Sequence, residues 1–234
     1  TAMNIAVWEA VTAVLIPGLE ELYAVLHRKA DDFAQIIKTG RTHLQDATPI
    51  TLGQEFSGYA AQVAHSIARI RACEGRMVEL ALGGTAVGTG LNTHPEFAAR
   101  AITEIQKLTK LPFKETSNHF EAQAARDAIV ELSGQLKTVS CSLMKIANDL
   151  RWLSSGPRCS IFEITLPEVQ PGSSIMPAKV NPVICESVMM VCAQVMGNDT
   201  TIMVGGQHGN FELNVMMPVV AYAALQSTEI LGNA

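Results

Sequence analysis

The chain has 234 residues, 48% of them hydrophobic, 17% charged and 5% aromatic, with a formal net charge of −5. The charges are spread without basic clusters, which speaks against a nucleic-acid surface. Gly, Pro or a charge interrupts every apolar run short of the about 20 residues that a membrane span needs, so no membrane segment is expected.

Burial must come from Ala, Val, Leu, Ile and Met, a palette that favours close helix packing over a sheet. A chain of this length buries enough surface to fold without disulfides. Its five cysteines, at 73, 141, 159, 185 and 192, form no CxxC pair and read as reduced core thiols of an intracellular protein. A positive mean hydropathy points to apolar helix surface covered by other subunits. The opening Thr1-Ala2-Met3-Asn4 has neither an initiator Met nor a basic leader, which predicts that the chain starts inside a longer protein.

In chain order, the first predicted helix covers 2–38, with Ile5, Trp8, Leu15, Leu19, Leu22 and Leu26 on one face and a kink at Pro17. The second covers 50–80, with Thr48-Pro49 as N-cap and first helical position. Ile129, Leu132, Leu136, Val139, Leu143, Ile146, Leu150 and Leu153 are spaced alternately 3 and 4 apart, a heptad stripe that places a third long helix along a bundle seam. Ser133, Gly134, Ser140, Ser142 and Ala147 on its other face allow a second neighbour to approach. Asn181-Pro182 opens a fourth helix, roughly 182–200, and a fifth runs from about 212 to 231. Connectors fall at 39–49, 83–95, 154–178 and 204–210, with no strand-like alternation. The reading is all-α: an up-and-down bundle of about five long helices, with the chemistry in the connectors.

Three connectors carry polar constellations. Gly40–Pro49 contains His43, which titrates near neutrality, flanked by Thr42 and Gln45; read from residues alone, a capped connector with a solvated His is the alternative. Pro171–Pro182 contains Gly172, Ser173, Ser174, Lys179 and Asn181. Lys179 is a point charge for a carboxylate, and Asn181 stands at a helix N-terminus, where anions are favoured. Glu186, one turn later, could orient an imidazole. A flexible Ser-Gly loop before an ordinary helix is the alternative there. The glycine-rich run Gly83–Asn92 lacks a Gly-Lys-Ser/Thr ending and follows no strand, so it reads as a packing turn. The histidines show no metal spacing.

Together these segments resemble the fumarase/aspartase superfamily, its fumarase branch above all. The pattern Ser-Ser-x-x-Pro-x-Lys-x-Asn-x-x-x-x-Glu runs unbroken from Ser173 to Glu186. Thr42-His43, Gly83–Asn92, Asn148-Asp149-Leu150-Arg151 and Gly209–Asn214 also match. The resemblance implies that residues 1–234 are the central helical-bundle domain of a longer enzyme, without its N- and C-terminal domains. It also implies a homotetramer with active sites where three subunits meet, a small dicarboxylate substrate, and no metal or organic cofactor. It implies that Ser173 is the base that takes the C3 proton of malate to give an aci-carboxylate. Lys179 and Asn181 would hold the substrate carboxylate, His43 paired with Glu186 would serve the leaving hydroxyl through water, and Thr42 and Ser174 would add contacts. Ala178 stands where many fumarases carry Gly and aspartases often carry Ala, which keeps elimination of ammonia from aspartate as the alternative, with a catalytically silent helical core as another. The implied location is the cytoplasm, or the mitochondrial matrix in a eukaryote. The chain alone is expected to assemble but to be inactive or nearly so.

Overall fold

The computed structural model describes all residues from Thr1 to Ala234. Helix α1, Ala2–Ala10, passes through a π turn, Val11–Leu15, into α2, Ile16–Asp32. The buried side chains Val7, Val11, Leu15 and Leu19 explain the turn. Steps of four residues overshoot a regular α-helical turn by about 40° each, so three of them would carry the stripe off the core. The wider turn absorbs that drift, and it also admits Pro17, which has no N–H to donate. The predicted kink is therefore a π turn, and the helix ends at Asp32, not at 38.

Residues 37–51 are not a helical connector but an antiparallel hairpin of β1, Ile37–Thr42, and β2, Gln45–Thr51. The register slips between Thr39 and Arg41, where a Cβ on Gly40 would lie 2.7 Å from the Thr48 carbonyl. Pro49 lies in β2 opposite Thr39, so Thr48-Pro49 does not start the next helix. That start is Thr51, which caps α3, Leu52–Ala72, in a capping box with Gln54. The predicted helix 50–80 breaks at Cys73, and a short α4, Glu74–Met77, follows. Strand β3, Glu79–Leu80, pairs in parallel with β4, Lys114–Glu115. Between them lies an unpredicted helix, α5, Phe97–Thr109, whose Ala98 and Ile102 are buried.

After the short helix α6, His119–Ala124, comes the heptad helix α7, Asp127–Leu153. Every residue of its stripe is buried except Leu150, which packs against the core edge. The small-residue face meets α8, Val183–Gln207, where the buried Ser133 hydroxyl donates to Asp199 at 2.7 Å. Lys137 closes the other oxygen of that carboxylate. Helix α8 runs seven residues beyond its predicted end at 200. A tight pair, β5, Gly209–Asn210, and β6, Leu213–Asn214, turns the chain into α9, Met217–Gly232. Asn198 on α8 donates to Gln226 and Ser227 of α9. Helix α2 packs on α3, α7 on α8 and α3, α8 on α9, and one hydrophobic cluster runs through all five long helical segments.

Two expectations need correction. Cys141 and Cys159 are exposed, so only Cys73, Cys185 and Cys192 are core thiols. Ala2–Asp32, with a mean hydropathy of 1.5 over its most apolar window, is long and apolar enough to cross a membrane by length and composition. Its Val7, Trp8, Leu15 and Leu19 are nonetheless packed into the shared core, as in the central helix of a bundle.

Candidate active site

Thr42 ends β1, and His43 and Leu44 form the two-residue turn to Gln45. Both turn residues have positive φ, 54° and 60°. A two-residue hairpin turn of that hand is ordinarily Asn-Gly, since L side chains pay about 1–2 kcal/mol each in the left-handed region. Leu44, 62% exposed, gains no burial in return. The imidazole of His43 is exposed and makes no hydrogen bond within the chain.

The 172–181 segment is a loop closed on itself. The Asn181 side-chain amide donates to the Gly172 carbonyl at 2.8 Å, so Asn181 ties the loop and does not cap α8. A Cβ at Gly172 would lie 2.0 Å from the Lys179 carbonyl, so only glycine fits. Ala178, at φ 62°, occupies a left-handed position that glycine would take without strain. Within the loop, the Ser173 Oγ accepts from the amides of Ile175 at 3.2 Å and Met176 at 3.3 Å. This is the geometry of a serine turn, in which the hydroxyl oxygen takes two backbone amides of its own loop. Ser174 is exposed beside it.

Lys179, Asn181 and Glu186 line one side of a cavity of about 780 Å³. Asn148, Arg151 and Trp152 from the end of α7 form another wall, and Phe162, Thr165 and Leu166 a third. Lys179 has no carboxylate within salt-bridge distance, which leaves its ammonium free for an anion. Thr42, His43, Ser173 and Ser174 are not among the lining residues. Glu186 faces Arg151 at 3.7 Å, not His43, so the expected imidazole–carboxylate pair does not form within one chain.

Arg151 and Glu163 are the residues that sequence reasoning passed over. Arg151 lay inside a matching tetrapeptide but was given no role; it also donates to Asn148 at 3.3 Å. Glu163 accepts from Arg41 at 2.6 Å and lies 2.8 Å from Lys38, in β1. Burial pushes its carboxyl upward, but the hydrogen bonds from Arg41 and Lys38 outweigh that and hold it below the usual carboxylate range. The Gly83–Asn92 run is the packing turn expected, with positive φ at Gly83, Thr85, Gly88, Gly90 and Asn92 and its Thr85 carbonyl bound by Gln123.

A family model described as Lyase matches residues 1–197. The chain belongs to this lyase family. It is 57% identical over 234 residues to a class II fumarate hydratase of Neisseria meningitidis, covering all of this chain and 51% of the relative. It is also 57% identical to the mitochondrial fumarate hydratase of Homo sapiens, again over the full chain and 46% of the relative. The chain thus spans about half the length of the curated relatives it matches. Among solved structures, a class II fumarase from Schistosoma mansoni superposes with a TM-score of 0.97 at 41% identity, over 100% of this chain and 52% of that one. A fumarate lyase/delta crystallin structure from Brucella melitensis bound to cobalt gives 0.94 at 46% identity, over 99% and 50%.

Proposed function

We propose that this chain is the central helical part of a fumarate hydratase, which interconverts (S)-malate and fumarate. The observation that carries the reading is the Ser173–Asn181 loop. It holds one hydroxyl oxygen under two amide donors, with an unpaired ammonium six residues on. In this reading Ser173 Oγ, as alkoxide, removes the C3 proton. The charge passes into the adjacent carboxylate as an aci-carboxylate, which Lys179 and Asn181 stabilise electrostatically. Thr42 and Ser174 add substrate contacts. His43 meets Glu186 across a subunit boundary and serves the departing hydroxyl through water. The aci-carboxylate then collapses to form the C2–C3 double bond as the C2–O bond breaks and the hydroxyl, protonated, leaves as water; no cofactor is called on. A soluble compartment fits, cytoplasm or mitochondrial matrix according to the host, with no membrane and no nucleic acid involved.

The whole enzyme, given malate, should generate fumarate, followed by its ultraviolet absorbance. Fumarate formed from aspartate but not malate would instead establish the ammonia-lyase, the reading that Ala178 favours. Fumarate from neither would leave a silent helical core.

Assembly follows from the same reading. Helix α8 exposes Met190 at 68%, Ala193, Gly197, Thr200 and Val204 at 41% along one face, a strip of mostly apolar and small side chains. Covering it with equivalent helices removes that surface from water and delivers His43 of one copy to Glu186 of another. Residues 1–234 should therefore scatter light as a homotetramer, near four times 25.1 kDa. A monomer at micromolar concentration would refute the shared site.

A further inference from the structure

The hairpin that presents Thr42 and His43 stands off the bundle, and most of β2 is exposed. Its hydrogen bonds to the rest of the chain lie at two places. At the base, the Thr51 amide donates to the Gln54 side-chain oxygen at 3.0 Å, and the Gln54 amide of α3 donates to the Thr51 hydroxyl at 3.1 Å. Toward the tip, Arg41 donates to Glu163 at 2.6 Å, one residue before Thr42. Lys38 joins the same carboxylate at 2.8 Å and also pairs with Glu55 of α3. Residues three apart on a regular strand point to opposite faces. Here the irregularity at Gly40 lies between Lys38 and Arg41, and both reach one acceptor.

These are not ordinary surface pairs. The Lys38 side chain is only 6% exposed and that of Glu163 19%, and the two acids balance the two bases. Removing one member of such a cluster strands the others in a partly dry site, whereas exposed pairs contribute little. The other side of Glu163 is equally fixed. Its amide and that of Ile164 both donate to the Leu153 carbonyl at the end of α7, at 2.8 and 3.2 Å. Phe162 just before it is turned into the left-handed region at φ 46°. Phe162, Thr165 and Leu166 line the same cavity as Lys179, Asn181 and Glu186.

We infer that Glu163 is a positioning residue that fastens the hairpin bearing Thr42 and His43 to the cavity wall facing Lys179, Asn181 and Glu186, so that the two site-bearing segments of a chain keep one fixed geometry. Glu163 touches no reacting atom. It acts through Arg41 and Lys38 on the hairpin and through its own backbone on the wall. The catalytic part of the inference rests on the hydratase reading above; the fastening does not.

The test uses the whole enzyme and two measurements. In Glu163→Gln, amide hydrogen exchange should rise at least tenfold over both 41–46 and 162–181, with little change in α7 or α8. Turnover of malate should fall by about tenfold to 10²-fold, since a misplacement of about 1 Å costs that much, while KM moves little. Glu163→Asp, which keeps the charge, should recover most of that turnover, as a purely space-filling role would not allow. If Glu163→Gln does not fold, Arg41→Gln breaks the same pair from the hairpin side and carries the same readout. The double variant should loosen the two segments no further than either single change. Loosening of 160–166 alone, with 41–46 protected as in the wild type, would overturn the inference. Wild-type enzyme inactive on malate would overturn the hydratase reading, and the exchange result would still decide the fastening.

Discussion

Replacing Ser173 by alanine in the whole enzyme is expected to lower malate turnover by about 10²–10⁴, the usual cost of removing a general base. The structure makes this a clean substitution. The two amides that bind Ser173 Oγ, from Ile175 and Met176, are exposed, so water can take the place of the lost acceptor. The loop keeps its closure, because Asn181 binds the Gly172 carbonyl independently of Ser173. Substrate affinity, which in the proposed mechanism rests on Lys179 and Asn181, should change little, so the loss should appear in kcat and not in KM. Turnover within tenfold of the wild type would remove Ser173 from the role of base.

The largest expected effect on stability lies in the α7 stripe. Leu132 is 0% exposed and lies in the cluster shared by the long helices. Leu132→Ala should cost about 2–5 kcal/mol, combining lost transfer energy with the cavity left behind. For a chain of this size each kcal/mol lowers the thermal midpoint by about 2–4 °C. Leu108, 82% exposed on α5, is the internal control, and its alanine variant should stay within about 0.5 kcal/mol of the wild type. Equal denaturation midpoints for the two variants would show that the stripe does not hold the bundle together.

The long core helices were legible from apolar spacing dictated by burial, whereas α5, with Ala98 and Ile102 buried on one side, was missed although its sequence carries the same spacing. The alternation from Ile129 to Leu153 is a legible case, since each side chain in it reaches the core or its edge. The hairpin was not legible, for three reasons. Gly40 and Pro49 interrupt its strands, its exposed β2 carries no apolar alternation, and His43-Leu44 occupies positions where Asn-Gly would have announced a turn. What holds it is tertiary: Lys38, Arg41 and Glu163, the last of them more than 120 residues away. The start of α3 could have been read, since Thr51-Leu52-Gly53-Gln54 is a capping box in plain sequence. The Ser173–Asn181 constellation was readable because its members share one loop. Arg151 joins Glu186 across 35 positions, and nothing in either local sequence announces the other.

The π turn at Val11–Leu15 shows how this fold keeps its count. Deleting one residue there would give an unbroken α-helix with its two ends in nearly their present phase, since Val7 and Leu19 would then be about 1100° apart, close to three full turns. Keeping every residue but forcing a regular α-helix would instead set them about 1200° apart and carry Val7 and Trp8, now 0% and 1% exposed, about 120° off the face of Leu19. The turn is thus a slack of one residue hidden inside a long helix. A one-residue deletion at this point should spare the core, whereas the same deletion in the middle of α7 would turn half of its stripe by about 100°.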